Sequence, residues 1–430
     1  MMQKIINPEP DTWKNLTKRP VLPQLDVDAL VTQVFAEISR NGDVALKKYT
    51  ALFDGAAPET IKVTDAQIDA AVKQLPQDLK AAIQTARDNI YNFHASQKDA
   101  VQIIETTAGV TCWRESRAIE RVGIYIPGGS APLFSTVLML GIPAQIAGCK
   151  EVVLCSPPDK EGNINPAILY AAQLVGITAI YAIGGIQAIG ALAIGTQSIP
   201  KVDKIFGPGN QYVTAAKQGA LKYGVAIDLP AGPSELLVIA DVTANPAYVA
   251  ADLLSQAEHG PDSQVILLSN DEEVINAVDK AVAVQLEALP RKEITAKALQ
   301  NSKAILLKSI DDCLDFSNLY APEHLILACN DAGAYTNRVV NSGSVFLGNY
   351  SCESAGDYAS GTNHTLPTNG YARNYSGVSL DSFIKKITFQ SITPQGLQNI
   401  GPAIELMAAA EQLEAHKNAV TIRLKDLNNV

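Results

Sequence analysis

No block of lysine and arginine stands out in these 430 residues, and acidic side chains outnumber basic ones, 44 to 34, for a net charge of -10. Neutralising phosphates needs a basic face, so neither nucleic acid nor an anionic membrane is expected as a partner. Cysteine is scarce: six residues, at 112, 149, 155, 313, 329 and 352, with no CxxC spacing. A disulfide framework and a cysteine-ligated zinc site are both unexpected, and reduced thiols in a cytoplasmic protein are the simpler reading. The first residues, MMQKIINPEP, lack a signal-peptide apolar core. GxxxxGK[ST], HExxH, GxSxG and GxGxxG are absent; Gly207-Pro208-Gly209-Asn210-Gln211-Tyr212 comes nearest to the last and lacks its third glycine. Charge is missing altogether from Gly162 to Pro200. That run holds Gly176, Gly184, Gly185, Gly190 and Gly195 as well as Pro166, and divides into a helix near 166–174, a strand near 177–183 and a helix near 186–194. It reads as a buried βα segment, not a membrane span.

What is present suits a globular chain of two or three domains: 47% of residues are hydrophobic and 18% charged. Residues 1–22 form an arm punctuated by proline. Residues 26–105 read as helices, through ALVTQVFAEIS with Asp26 as a cap, ALKKYTALFD, DAQIDAAVKQL and QDLKAAIQTARDNIYNFHASQ. From about 118, short β-rich runs alternate with helical ones: RVGIYIPGG, EVVLCSPP, TAIYAIGG and KIFGPGN are strands, each followed by a helix. A second set comes after them, with SELLVIAD, SQVILLS, KAILLKS, PEHLILAC and SGSVFLG as strands. The expected fold is α/β, with two Rossmann-like parallel-sheet domains, incomplete without GxGxxG, plus small N- and C-terminal extensions. Residues 348–380 form a long polar loop, the kind that usually carries function. The tail has a helix near 402–415 and a β-like end, AVTIRL.

Glycine-rich turns at 127–130, 184–187 and 207–210 present backbone N–H groups at helix starts, where phosphates bind in open α/β sheets; the alternative is that these glycines only make tight turns. The five histidines are more informative. His94 lies on an ordinary helix and reads as structural. Gln256 and His259 are three apart near a helix end, an N/O pair suited to Zn²⁺, or simply a histidine complementing the helix dipole. Glu323 and His324 adjoin after Pro322, two proton-transfer side chains or a surface pair in a turn. Asp357 and His364 share a glycine-rich loop; Asp357 suits a metal site with Gln256 and His259, and His364 a substrate contact, unless Asp357 is only a cap. Glu411 and His416, five apart, converge only if the helix ends between them. Cys149 and Cys155 are alternative nucleophiles, blunted by apolar surroundings.

The stretches RVGIYIPGGSAPLFSTVLML, FGPGNQYVTAAK, DLPAGPSELLVIAD, LLSQAEHGPDSQ, APEHL, ESAGDYASGTNH and the tail E----HKNAV resemble the histidinol dehydrogenase family from about residue 25 to the end. The resemblance implies a zinc enzyme, with one zinc per subunit, that oxidises L-histidinol to L-histidine through the aldehyde, using NAD twice. It implies Gln256, His259, Asp357 and His416 as zinc ligands, and Glu323 and His324 as the acid/base pair. Substrate contacts come from Ser234, His364 and Glu411 besides the ligands and His324; NAD contacts come from Tyr125, Gln187 and Asn210. It implies a homodimer whose tail crosses to the partner. The accompanying division is a 1–22 arm, a first α/β domain of 23–115 with 235–380 carrying metal and catalytic residues, a nucleotide-side domain of 116–234, and a tail of 381–430. Thr365 stands where the family pattern expects valine. Rival readings are a zinc-dependent hydrolase using the same side chains without a nucleotide, and a metal-stabilised nucleotide-binding protein without catalysis.

Overall fold

The computed structural model describes residues 2–20, 27–56, 60–128, 132–230 and 232–428. Its strands are β1 (Gln3–Ile6), β2 (Ile103–Thr107), β3 (Val110–Ala118), β4 (Arg121–Tyr125), β5 (Glu151–Ser156), β6 (Ala179–Ala182), β7 (Lys204–Phe206), β8 (Ala226–Ile227), β9 (Glu235–Ala240), β10 (Gln264–Ser269), β11 (Lys303–Leu306), β12 (His324–Ala328), β13 (Ser344–Leu347) and β14 (Ile384–Ile392). The helices are α1 (Trp13–Leu16), α2 (Val27–Asn41), α3 (Asp43–Phe53), α4 (Asp65–Gln74), α5 (Gln77–Ala95), α6 (Phe134–Ala147), α7 (Pro166–Leu174), α8 (Gly185–Ile194), α9 (Gln211–Ala220), α10 (Pro246–Ala257), α11 (Glu272–Glu287), α12 (Lys292–Gln300), α13 (Ile310–Tyr320), α14 (Glu353–Tyr358), α15 (Pro394–Ala410) and α16 (Glu414–Asn428).

The chain divides into two compact units, Met1–Gln97 with Ile119–Phe383, and Lys98–Ala118 with Ile384–Val430. The first unit contains two parallel sheets. One runs β6-β5-β4-β7-β8, the other β1-β11-β10-β9-β12-β13. Counted from its own first strand, each has the doubly wound order 3-2-1-4-5, with β1 added at one edge of the second. The central strands β9 and β10 are buried along their whole length, as a parallel strand covered on both faces must be. The α/β expectation therefore holds, without a GxGxxG turn in either half.

Helix chemistry follows the sequence closely. Thr64 caps α4 in a reciprocal box with Gln67. Asn245 caps α10, with Pro246 in its first turn. The charge-free run resolves into α7, β6 and α8, and among the described residues no helix is long and apolar enough to cross a membrane. Asp26, the expected cap of α2, lies outside the described residues.

Four details differ from the sequence reading. The helices of residues 27–95 pack on the five-stranded sheet, not the six-stranded one: Val34, Phe35 and Ile38 of α2 join the core of α8 and α9, and Ile83 and Ile90 of α5 join that of α6. Their apolar stripes find a partner near in space rather than in the assigned domain. The N-terminal arm contributes β1, paired in parallel with β11. The end of the expected helical region is instead β2, which with β3 and β14 makes an antiparallel three-stranded sheet in the second unit. Finally, AVTIRL belongs to helix α16 rather than a strand.

Candidate active site and cofactor cleft

β9 and β12 lie side by side in register, His324 opposite Leu236, so Glu235 and the Glu323-His324 pair gather at the amino ends of two adjacent strands. Glu323, His324, Glu235, Gln256 and Glu353 are all buried. The backbone N–H of Glu235 donates to Glu323 Oε2 at 2.8 Å, and His324 Nδ1 lies 3.3 Å from the Glu235 carbonyl oxygen. Around the His324 ring stand three carboxyl groups: Glu323 at 3.7 Å and Glu353 at 3.8 Å from Nδ1, and Asp357 at 3.6 Å from Nε2. The last distance is too long for a hydrogen bond, and Nε2 has no partner among the described residues.

This crowding sets the proton affinities. Burial by itself depresses an imidazole, but the carboxyl groups of Glu323, Glu353 and Asp357 more than reverse it and push His324 up to about 10. Burial pushes Glu323 up to about 8 and holds Glu353 well above the usual carboxyl range. Burial also opposes ionisation of Asp357, yet His324 beside it, with His364 and His259, keeps its pKa below the ordinary value. At neutral pH the cluster retains a proton, and His324, ringed by carboxyl groups, is where the geometry favours it.

α10 delivers the metal-type donors. Gln256 is fully buried in its last turn, and His259 follows the helix end, its N–H donating to the Gln256 carbonyl at 3.3 Å. His259 keeps an exposed edge, but the protein packed around its ring nitrogens still lowers its pKa. Glu353 and Asp357 are four apart on α14, hence on one helix face. One ligand atom each from His259, Glu353 and Asp357 lies within 4.8 Å of the others. Hydrogen bonding assigns the Gln256 amide nitrogen to the Glu353 carboxylate and its oxygen to the Glu235 N–H at 3.2 Å. The opposite orientation sets oxygen against oxygen, an arrangement that a shared cation or a proton held on Glu353 relieves. The nitrogen and oxygen donors of His259, Glu353 and Asp357, gathered within reach of one another, fit a zinc-type ion.

His364 ties this cluster to the other sheet. Its Nδ1 lies 2.8 Å from the Asp357 carbonyl oxygen and its Nε2 2.9 Å from Thr136 Oγ1, in the first turn of α6. A carbonyl can only accept, so Nδ1 carries the hydrogen and Nε2 accepts from Thr136. Burial favours that neutral ring. Both ring nitrogens are thus used within the protein, and a substrate contact through Nε2 requires Thr136 to yield. Ser234, half-buried, immediately precedes Glu235 at the same sheet end.

A separate cleft of about 760 Å³ opens at the carboxyl ends of the five-stranded sheet. It includes Tyr125 at the end of β4, Pro157 after β5, Gly185 after β6 and Asn210 after β7. This is the ligand edge of a doubly wound sheet. Much of the N–H capacity expected at its glycine turns is already taken. Gly185 N–H donates to Tyr125 Oη at 3.1 Å, and Asn210 Oδ1 accepts from the N–H groups of Tyr212 and Val213. Residues 129 and 130 of the first turn lie outside the described residues. Gln187 is buried, donates to Asp54 Oδ2 at 3.0 Å, and leaves its Oε1 without a partner among the described residues. Gly207 adopts φ +126°, and a Cβ there would collide with the Tyr125 carbonyl oxygen, so only glycine fits this turn.

Glu411 and His416 lie in the second unit, and both are exposed. The helix does break between them: α15 ends at Ala410, Gln412 takes φ +60°, and α16 starts at Glu414. The sequence reading does not single out Glu353, Glu235 or Thr136. The i,i+4 spacing of Glu353 and Asp357 carries the signal for the first; nothing local marks the other two. All six cysteines are free, and burial pushes Cys149 up to about 11 and Cys155 higher, which disfavours a nucleophilic thiolate.

A doubly wound α/β protein with a buried proton-transfer pair, an N/O donor cluster and a separate cleft at the ligand edge of its five-stranded sheet has the layout of an oxidoreductase. The histidinol dehydrogenase family model matches residues 17–424. Histidinol dehydrogenase of Bacteroides thetaiotaomicron is 57% identical over 427 residues, 99% of this chain and 100% of that one. The chloroplastic histidinol dehydrogenase of Arabidopsis thaliana is 52% identical, across 96% and 89% of the two chains. The crystal structure of histidinol dehydrogenase from Elizabethkingia anophelis, 65% identical, matches with a TM-score of 0.98 over 99% of both chains. The chain belongs to the histidinol dehydrogenase family and is an oxidoreductase.

Proposed function

We propose that this chain catalyses the last step of histidine biosynthesis, the four-electron oxidation of L-histidinol to L-histidine through a bound aldehyde, with zinc and NAD. The observation that carries the reading is the placement of His324 between the Glu323 carboxyl group and the His259–Asp357 donor cluster. Gln256, His259 and Asp357 would hold the metal, with His416 completing the set; Tyr125, Gln187 and Asn210 would border the dinucleotide. Glu353, whose carboxyl oxygen belongs to the same cluster, adds a donor next to these ligands. Zinc, when bound, supplies positive charge that holds imidazole and amine nitrogens and lowers the proton affinity of its neighbours, and oxidised nicotinamide supplies the hydride acceptor.

The side chains divide the proton work. Neutral His324 takes the hydroxyl proton as the carbinol carbon loses hydride. Glu323, buried and aligned by the Glu235 N–H, removes a proton from water as its oxygen adds to the aldehyde carbon. His324 then accepts the hydroxyl proton of the hydrate as the second hydride departs. One water is consumed, and two hydrides leave with the protons that balance the carboxylate product. Ser234, His364 and Glu411 would contact the substrate.

The partner reading is a homodimer in which the C-terminal segment completes the other subunit's site; the exposure of His416 and Glu411 on their own unit supports it. Free thiols support a cytoplasmic location. The test is NADH formation from L-histidinol compared with other amino alcohols. Turnover of L-histidinol is the expected result. Hydrolysis without a nucleotide, or binding without turnover, would contradict the reading.

A further inference from the structure

Arg19 belongs to the N-terminal arm, outside every catalytic segment named above, yet its guanidinium reaches both the strand beside the candidate pair and the turn that leads into it. Nε donates to Glu235 Oε1 at 2.5 Å and Nη2 to Glu235 Oε2 at 2.8 Å, a two-point fork. Nη2 also donates to the Tyr320 carbonyl oxygen at 2.9 Å, and the guanidinium lies 4.0 Å over the Tyr320 ring. Both side chains are largely withdrawn from water, Arg19 at 15% exposure and Glu235 at 2%, so neither charge is screened as a surface pair would be.

Each end of this clamp bears directly on the candidate pair. Glu235 opens β9, and its own backbone holds the pair: its N–H binds Glu323 and its carbonyl faces His324. Its carboxylate also accepts from the Asn369 N–H at 2.8 Å. Tyr320 ends α13, and Ala321 after it takes φ +55°, a left-handed conformation unusual for a residue with a Cβ. Such a turn persists only where surrounding contacts over-determine it. Pro322, Glu323 and His324 come directly out of that turn. Arg19 grips both sides of the pair, the strand beside it and the turn before it.

We propose that Arg19 is a positioning residue, acting through Glu235 and the Tyr320–Ala321 turn to hold Glu323 and His324 in reactive register. The inference rests on the activity proposed above. Arg19 touches no reacting atom, and its contribution is geometric: displacement of a catalytic group by about 1 Å costs ~10²-fold in rate.

The test compares wild type with Arg19→Lys and Arg19→Met, assayed well below each variant's Tm. Lysine keeps the charge but not the two-point fork. The expected result is a kcat lowered at least about tenfold in Arg19→Lys and further in Arg19→Met, with KM for NAD⁺ changed less than about twofold. Backbone hydrogen exchange across residues 319–326 should rise in both, while metal content stays at the wild-type level. A Tm loss with kcat unchanged shows a merely structural ion pair and overturns the proposal. So does unchanged exchange across 319–326, whatever the rate. If wild type itself does not oxidise L-histidinol, the activity reading fails, and the exchange comparison alone decides whether Arg19 holds the turn.

Discussion

His324 Nε2 faces Asp357 Oδ1 across 3.6 Å and has no hydrogen-bond partner among the described residues. That nitrogen can take up a proton in transit only when the ring is neutral, the state that the charge of a bound cation would favour, and the family reading then makes it the base. His324→Asn should lower the alcohol step by ~10²–10⁴-fold, the usual worth of a positioned general base, while bound metal stays at the wild-type level. A loss smaller than about tenfold, measured as kcat on L-histidinol, would remove His324 from that role.

Glu323 has a different task, so its substitution should have a different signature. Glutamine keeps an oxygen to accept the Glu235 N–H but cannot take a proton from water. Glu323→Gln should therefore slow oxidation of supplied L-histidinaldehyde by ~10²-fold and the alcohol step much less. Equal, small effects on the two half-reactions would contradict water activation.

Tail exchange is tested by complementation. His416→Ala and His259→Ala homodimers should each be inactive. After subunit mixing, one site of each heterodimer regains a full ligand set if the tail comes from the partner. No recovery, with exchange of subunits confirmed, contradicts the crossed arrangement.

Asp54, which lines the cleft at the carboxyl ends of the five-stranded sheet, gives a pH signature. Burial pushes its carboxyl group from the ordinary 3.8 up to about 6, against the pull of the Gly184 N–H and the Gln187 amide. The folded protein then binds more protons than the unfolded chain between those values. The stability this group contributes is fully present below the lower value and lost as pH rises through about 6. Asp54→Asn should raise Tm relative to wild type at pH above 6, and the gain should vanish toward pH 4. A difference in Tm that does not change with pH would contradict this.

Much of this molecule is legible in sequence because its signals are local. Alternating strands and helices with punctuating glycine and proline mark the two parallel sheets, and Asn245-Pro246 marks the start of α10. Gln256, His259, Glu323, His324 and Asp357 stand out because unusual side chains cluster near turns. The rest depends on distance in space. Arg19 and Glu235 are 216 residues apart, and Thr136 and His364 are 228 apart. The β2–β3 hairpin does carry a local signal, since Ala108-Gly109 separates two runs rich in β-branched residues, but the helical pattern of α5 leads straight into it and masks the change of period. AVTIRL shows the opposite error: its β-branched residues suggest a strand, but it continues a helix that packs on α15.

The measurement that bears most directly on the central claim is the number of NADH formed per L-histidinol consumed, taken before chelation, after chelation and after zinc is returned. The account predicts two NADH per substrate, activity lost with the metal and restored by zinc. One NADH per substrate, or full activity in the chelated protein, would contradict a zinc-dependent four-electron oxidation.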